Sequence, residues 1–230
     1  MKITTHTIVK NEEKWIKQAL LSVIKHVTTM LVWDTGSTDK TVEIIKSINS
    51  PKIKFFQKGS VNRKQLVELR NQQIKQTKTP WFLILDGDEI WPEKNLIKLI
   101  KTMKNAKSKT IALVNKTHNC IGDIYHYLPP SKGKYQIGHW QGHLNIRAIK
   151  NIKGLKVIGE YPLEIYTFNH KPLQDQSENL EFVDTWYLHT THLKRSSWFN
   201  QFNVIDRLKK FKFLGKRLRL KKSEFPESLK

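Results

Sequence analysis

An α/β fold, built on a mostly parallel sheet with helices on both faces, is what this sequence predicts. Three observations carry the prediction. Over residues 1–115, short apolar runs alternate with segments of helical spacing, the pattern of repeated β-α units. The most apolar run, residues 81–85 (WFLIL), stops abruptly at Asp86, Gly87, Asp88 and Glu89, as a buried strand does where it leaves a sheet. The 230 residues, 38% hydrophobic and 27% charged, suffice for one well-buried domain with or without an appendage.

In order along the chain, Ile3, Ile8 and Val9 mark a first strand over residues 2–9. Trp15, Ile16, Ala19, Leu20, Val23 and Ile24 then recur at helical spacing, with Asn11 placed to cap that helix and acids in its first turn. Residues 30–33 are a second strand ending at Asp34. A turn over residues 34–39 leads to a helix carrying Val42, Ile44, Ile45 and Ile48. A strand at 53–56, a polar helix around 62–77, the strand before the acids, a helix over 93–105 opened by Pro92 and Glu93, and a strand at 110–115 complete the pattern. From 116 to 190 the periodicity fades into an aromatic, irregular stretch that suggests binding loops over a scaffold, with residues 143–150 alternating as if to rejoin the sheet.

Neither a G-x-G-x-x-G after the first strand nor a G-x-x-x-x-G-K-[ST] occurs, so the dinucleotide and P-loop fingerprints are both missing. No run of about 18 apolar residues predicts a membrane-spanning helix. The opening residues lack a signal-peptide apolar region, which gives the expectation of a cytoplasmic protein. A single cysteine, Cys120, excludes an internal disulfide and reads as an isolated thiol before a nucleophile. Lys and Arg number 41 against 20 Asp and Glu, a net charge of +21 that favours anionic partners. Nucleic acid is one such partner, but no nucleic-acid motif appears, and Trp33 and Trp81 sit inside apolar strand runs.

Acids at a strand's carboxyl end lie where open α/β sheets bind ligands. Carboxylates crowded as Asp86, Asp88 and Glu89 are repel one another unless a cation neutralises them. Hard oxygen donors suit Mg²⁺ or Mn²⁺, and Mg²⁺ is commonly shared with substrate phosphates. The alternative is a solvated acidic turn.

Four ordered segments together resemble the family 2 glycosyltransferases of the GT-A type. They are residues 8–13 (IVKNEE), residues 32–41 (VWDTGSTDKT), Arg70-Asn71, and residues 85–89 (LDGDE). The resemblance covers residues 3–92 closely and weakens beyond 116, where Arg147, Gly159, Glu160 or Glu164, and Leu188-His189 follow in the family's order. It implies a GT-A catalytic domain over 1–193, with a nucleotide-sugar half (1–115) and an acceptor half (116–193), that transfers a sugar with inversion from a nucleoside diphosphate sugar. Asp34 would contact the base, Asn11 and Glu12 would shape the pocket rim, and Asp86 would face ribose or phosphate. Asp88 would bind Mn²⁺ or Mg²⁺, with His189 as a further metal ligand or diphosphate contact. Arg70 would pair with an acid or a phosphate, unless it is a helix-surface cation. Glu164, and after it Glu160, would be the general base. A nucleotidyltransferase would want a Gly-rich loop where this chain has Lys10-Asn11-Glu12-Glu13, and a haloacid-dehalogenase-type phosphohydrolase would want its D-x-D after the first strand.

Residues 194–230 form a basic tail. Between 194 and 222, 11 Lys and Arg face one acid, Asp206, and Trp198, Phe202, Ile205 and Leu208 share one helical face, with Phe211, Leu214 and Leu218 on a rotated one. Such a basic amphipathic helix suits an anionic membrane, and with it a lipid-linked or cell-surface glycan acceptor; the alternative is packing on the domain.

Overall fold

A computed structural model describes residues 1–193 and 217–229 of the chain. The first half alternates as expected: β1 (Ile3–Val9), α1 (Ile16–Ile24), β2 (Thr29–Asp34), α2 (Thr41–Ser47), β3 (Ile53–Gln57), α3 (Arg63–Gln76) and β4 (Trp81–Ile84). A short β5 (Glu89–Ile90) and α4 (Glu93–Asn105) follow. The second half is almost all strand: β6 (Ala112–Ile121), β7 (Asp123–Tyr127), β8 (Tyr135–Ile137), β9 (Trp140–Gly142), β10 (Leu144–Lys150), β11 (Leu155–Ile158), β12 (Ile165–Phe168), β13 (Lys171–Pro172), β14 (Leu180–His189) and β15 (Leu218–Arg219).

Among the described residues the large sheet has ten strands, in the order β15-β7-β6-β10-β4-β1-β2-β3, with β14 beside β6 and β5 beside β14. β1, β2, β3 and β4 run parallel. The chain moves outward from β1 to β2 and β3, then returns to place β4 on the other side of β1. That reversal opens a crevice at the carboxyl ends of β1 and β4, the usual ligand position in such sheets. β10 lies antiparallel between β4 and β6, so the second half of the chain is stitched directly onto the first.

The sheet is covered on both faces. Ile16, Leu20 and Val23 of α1, Ile45 of α2, and Leu96, Leu99 and Met103 of α4 pack with Ile3, Val9, Val32, Trp81 and Leu83 in one core. On the opposite face, Phe82 and Ile84 meet Leu155 and Leu173, with Ile74 of α3 packed alongside. α3 is polar because much of its grip on the sheet is polar. Gln73 Nε2 donates to the carbonyls of Thr7 and Leu31, and Thr77 Oγ1 lies 2.5 Å from His6 Nε2. The helix begins with a reciprocal Asn62–Gln65 capping box.

Three expectations are corrected. Asn11 does not cap α1: that helix starts at Ile16, makes no side-chain cap bond and has no acid in its first turn. Residues 116–190 are mostly paired strands rather than loops. Local hairpins join β6 to β7, β8 to β9 and β11 to β12 to β13, while β10 and β14 find partners distant in sequence; their aromatic and polar side chains line half-buried faces, so the alternation that marks a strand is blurred. Leu218 is in β15, paired with Tyr127 of β7, not on a helix. Residues 217–229 pack on the domain, where Leu220, Phe225 and Leu229 join Ile90, Cys120 and Leu188. The proposed amphipathic helix from Trp198 to Leu214 lies outside the described residues. No helix among the described residues is long and apolar enough to cross a membrane.

Candidate active site

The carboxyl ends of β1 and β2 are clasped to each other by polar side chains. Asn11 takes a left-handed backbone (φ 55°), which asparagine tolerates better than most residues. Its side-chain carbonyl accepts the Thr38 N–H at 2.7 Å, and its own N–H donates to Ser37 Oγ at 2.9 Å. The Glu12 N–H donates to Thr41 Oγ1, and the Glu13 N–H to Asp39. Asp34, buried at the end of β2, accepts from the N–H groups of Gly36 and Ser37. Gly36 has φ +88°, and a Cβ there would sit 3.1 Å from the Ser60 nitrogen, so the turn requires glycine. The segments 11–13 and 34–41 thus form one rim.

The acids after β4 complete the crevice. A Cβ on Gly87 would lie 3.2 Å from Glu12 Cβ, Glu12 Cγ and Val9 Cγ2, so glycine lets the turn nest against the first rim. β14 pins the turn from the other side: His189 pairs with Glu89, and the Thr190 N–H donates to the Asp88 carbonyl at 2.9 Å. This brings His189 Nε2 to 3.1 Å from Asp88 Oδ2, from far apart in the chain. Burial holds the His189 imidazole below its ordinary pKa, in the neutral form that ligates metals.

Asp86 and Glu89 are held by a third group, Arg147. Its guanidinium donates to Asp86 Oδ2 at 3.0 Å and to Glu89 Oε1, and its Nε donates to Tyr187 Oη at 3.2 Å. The register of β10 against β6 shifts between Ile146 and Ala148, placing Arg147 in a β-bulge, the device that re-aims a strand side chain. Glu89 is fully buried, and burial raises its pKa against the pull of Arg147. Burial would lower the pKa of Arg147, but Glu89, Tyr187 and Asp86 outweigh it and keep the cation. Beyond Asp86, Arg70 Nε lies 3.3 Å from Glu164 Oε1, and Arg70 Nη2 lies 3.9 Å from Asp86.

Of the residues singled out in the sequence, Asn11, Glu12, Asp34, Arg70, Asp86, Asp88, Glu164 and His189 converge on this crevice. Glu160 is exposed on the same loop as Glu164, and its backbone carbonyl accepts the Leu163 N–H. Sequence order alone had named Arg147, without a role; the bulge that gives it one leaves no trace in a single sequence. Tyr187, whose hydroxyl also accepts from Asn145, lay in the stretch read as irregular and gave no signal.

A divalent ion fits this arrangement. Among the described residues no group of three or more His, Cys, Asp or Glu could cage a metal, and Asp88 with His189 offers a two-residue set of one carboxylate and one neutral imidazole. Such a set leaves most coordination positions to waters or phosphate oxygens, as Mg²⁺ and Mn²⁺ sites do.

The sequence profile described as Glycosyl transferase family 2 matches residues 4–160. Two curated relatives are each 28% identical over 171 residues: the SPbeta prophage-derived glycosyltransferase SunS of Bacillus subtilis (strain 168) and the glycosyltransferase SunS of Bacillus phage SPbeta. The match takes in 73% of this chain and 36% of each relative, so the chain spans about a third of their length. Among solved structures, S. aureus TarS 1–349 in complex with UDP-GlcNAc superposes with a TM-score of 0.59 at 16% identity, over 87% of this chain and 61% of that one. Glucosyl-3-phosphoglycerate synthase from Mycobacterium tuberculosis, in complex with Mn²⁺, UDP and glucosyl-3-phosphoglycerate, gives 0.51 at 12% identity, over 95% and 87%. At these identities the likeness is one of fold.

Proposed function

Because the chain belongs to glycosyl transferase family 2, we propose that it transfers a sugar from a nucleoside diphosphate sugar to an acceptor hydroxyl, with inversion and with Mn²⁺ or Mg²⁺. The observation that carries this reading is the meeting of Asp88 and His189 at 3.1 Å, in the crevice that the Asp34 turn also borders. The UDP-GlcNAc complex of TarS and the Mn²⁺ and UDP complex of the mycobacterial synthase, proteins of the same fold, support it.

The residues divide into three tasks. The rim formed by Asn11, Glu12 and the Asp34 turn receives the nucleoside. Asp88 and His189 hold the ion, which when bound supplies positive charge where the departing diphosphate gains negative charge. Glu164 faces the other way and takes the proton of the attacking hydroxyl, a contribution of about 10²–10⁴-fold for a well-placed general base. The acceptor oxygen bonds to the anomeric carbon as the bond to the diphosphate breaks, so a single displacement inverts that centre. Arg70 orients the Glu164 carboxylate while touching Asp86, which ties the acceptor side to the donor side. The acceptor is a glycan, free or lipid-linked.

Calorimetry with UDP, GDP, ADP and CDP, with and without Mn²⁺, tests the donor side, and nucleotide release from the matching sugar nucleotides tests turnover. One nucleoside diphosphate should bind in a metal-dependent way, and Asp88→Ala should lower turnover by about 100-fold or more with the fold intact. Undiminished turnover in Asp88→Ala, or preference for a triphosphate with pyrophosphate release, would sink the proposal.

A further inference from the structure

The loop that carries Glu164 belongs to a small sheet, β11-β12-β13, which among the described residues shares no ladder with the large sheet. Its packing on the rest is largely apolar: Leu155 and Phe168 lie against Phe82 and Ile84, with Ile74 of α3 beside them. Apolar packing is non-directional and does not by itself fix how far a strand slides along its neighbour. Each residue of slip would carry a strand about 3.3 Å. That would part Glu164 from Arg70, whose closest approach is itself 3.3 Å.

Polar contacts supply the direction: Gln176 Nε2 donates to the carbonyls of Phe168, Lys171 and Pro172 around β12 and β13, the Tyr161 N–H donates to the Arg63 carbonyl, and one α3 side chain grips β11 itself. Asn71, on α3 next to Arg70, accepts the Val157 N–H through Oδ1 at 2.9 Å and donates through Nδ2 to the Val157 carbonyl at 2.8 Å. It thereby imitates a neighbouring strand for one residue of β11. The same Nδ2 also donates to the Val67 carbonyl, one turn back on α3, which fixes the amide's orientation. Only an amide of this length offers the donor and the acceptor together; aspartate has no donor and alanine has neither. Residues 70 and 71 therefore hold both ends of one unit: Asn71 holds the strand, and Arg70 holds the carboxylate seven positions after it.

Resting on the transferase reading above, we propose that Asn71 is a positioning residue that sets the register of the β11–β12 hairpin and so places Glu164 opposite the donor crevice. It touches neither nucleotide nor acceptor. Its loss should therefore leave donor binding alone and slow transfer.

The test compares Asn71→Ala and Asn71→Asp with the unaltered chain, and Glu164→Gln serves as reference. Amide hydrogen exchange over residues 155–168 requires no ligand. It should speed up by about tenfold or more in Asn71→Ala, which loses both bonds to Val157, and by less in Asn71→Asp, which loses only the bond to the Val157 carbonyl, while α1, β1 and β2 keep their protection. The affinity for the nucleoside diphosphate selected by calorimetry should stay within about twofold, while kcat for nucleotide release falls by about 100-fold, the usual cost of a misplacement near 1 Å. Unchanged exchange over 155–168 would overturn the proposal. So would a uniform loss of protection and melting temperature in which nucleotide affinity falls together with kcat, because that is a general stability effect. If Glu164→Gln keeps full turnover, the assignment of the base fails instead, and the exchange data still decide whether Asn71 sets the hairpin.

Discussion

Replacing Arg147 with methionine keeps most of the side chain's apolar stem and removes the cation that Asp86 and Glu89 share. The magnitude follows from where those acids sit. The Glu89 side chain has no exposed surface, and that of Arg147 is 11% exposed, so water cannot take over the vacated contacts. Removing one partner of a buried ion pair typically costs about 3–5 kcal/mol, because the remaining charge stays uncompensated. Against a whole-domain stability of about 5–15 kcal/mol this is a large fraction, and it corresponds to a fall in melting temperature of about 6–20 °C for a chain of this size. The assay is denaturant unfolding at neutral pH in chelator, with the slope of the transition checked for constancy. The companion variant Glu89→Gln/Arg147→Met removes both charges and should recover about 2–3 kcal/mol relative to the sum of the single changes, a coupling expected only of groups in direct contact. An Arg147→Met chain within 1 kcal/mol of the original, or a double variant that is simply additive, would refute the view that this pair is the hinge of the acidic turn.

Two further predictions concern groups outside the chemistry. Burial depresses His6 to a pKa of about 3, so the folded state binds fewer protons than the unfolded state between about pH 6.5 and 3. Stability contributed by keeping it neutral is therefore complete above 6.5 and lost as pH falls toward 3, at up to about 1.4 kcal/mol per pH unit; His6→Gln should flatten that acid limb in melting curves, and an unchanged slope would contradict the assignment. Cys120 is fully buried, with its thiol pushed up to about 12, chiefly by burial. It should resist a thiol reagent in the native chain and react readily once residues 217–230 are deleted, since Leu220, Phe225 and Leu229 belong to the cluster around it; persistent protection after truncation would show that this segment does not cover it.

The first half of the fold was legible because its signals are local. Apolar runs of four or five residues, separated by helices of clear period, give the β-α alternation, and an acid cluster ending such a run marks a strand's mouth. Asn11 was misread for a physical reason: asparagine suits a helix cap and a left-handed turn alike, and only the distant Ser37 and Thr38 decide between them. The second half of the fold was poorly legible because its longest strands find partners far away, as when β14 lies alongside β6 some 70 residues earlier. Arg147 illustrates the limit: a lone arginine among Ile146, Ala148 and Ile149 looks like a solvent-facing strand residue until the bulge turns it inward.

Charge at the crevice joins these threads. The chain is strongly cationic, +21 overall, yet among the described residues the crevice gathers Glu12, Asp34, Asp86, Asp88, Glu89 and Glu164 beside Arg70 and Arg147. A nucleoside diphosphate approaching that basin alone meets an excess of carboxylate at close range, where Coulomb repulsion is least screened. On the reading proposed above, a divalent ion held by Asp88 and His189 would offset the negative charge of the diphosphate and so remove that repulsion. On the transferase reading proposed above, this charge balance predicts that nucleotide binding depends on a divalent ion. Arg147 offsets Asp86 and Glu89, and Arg70 stands beside Glu164 and Asp86, while Asp88 faces His189, the pair to which that reading assigns the ion.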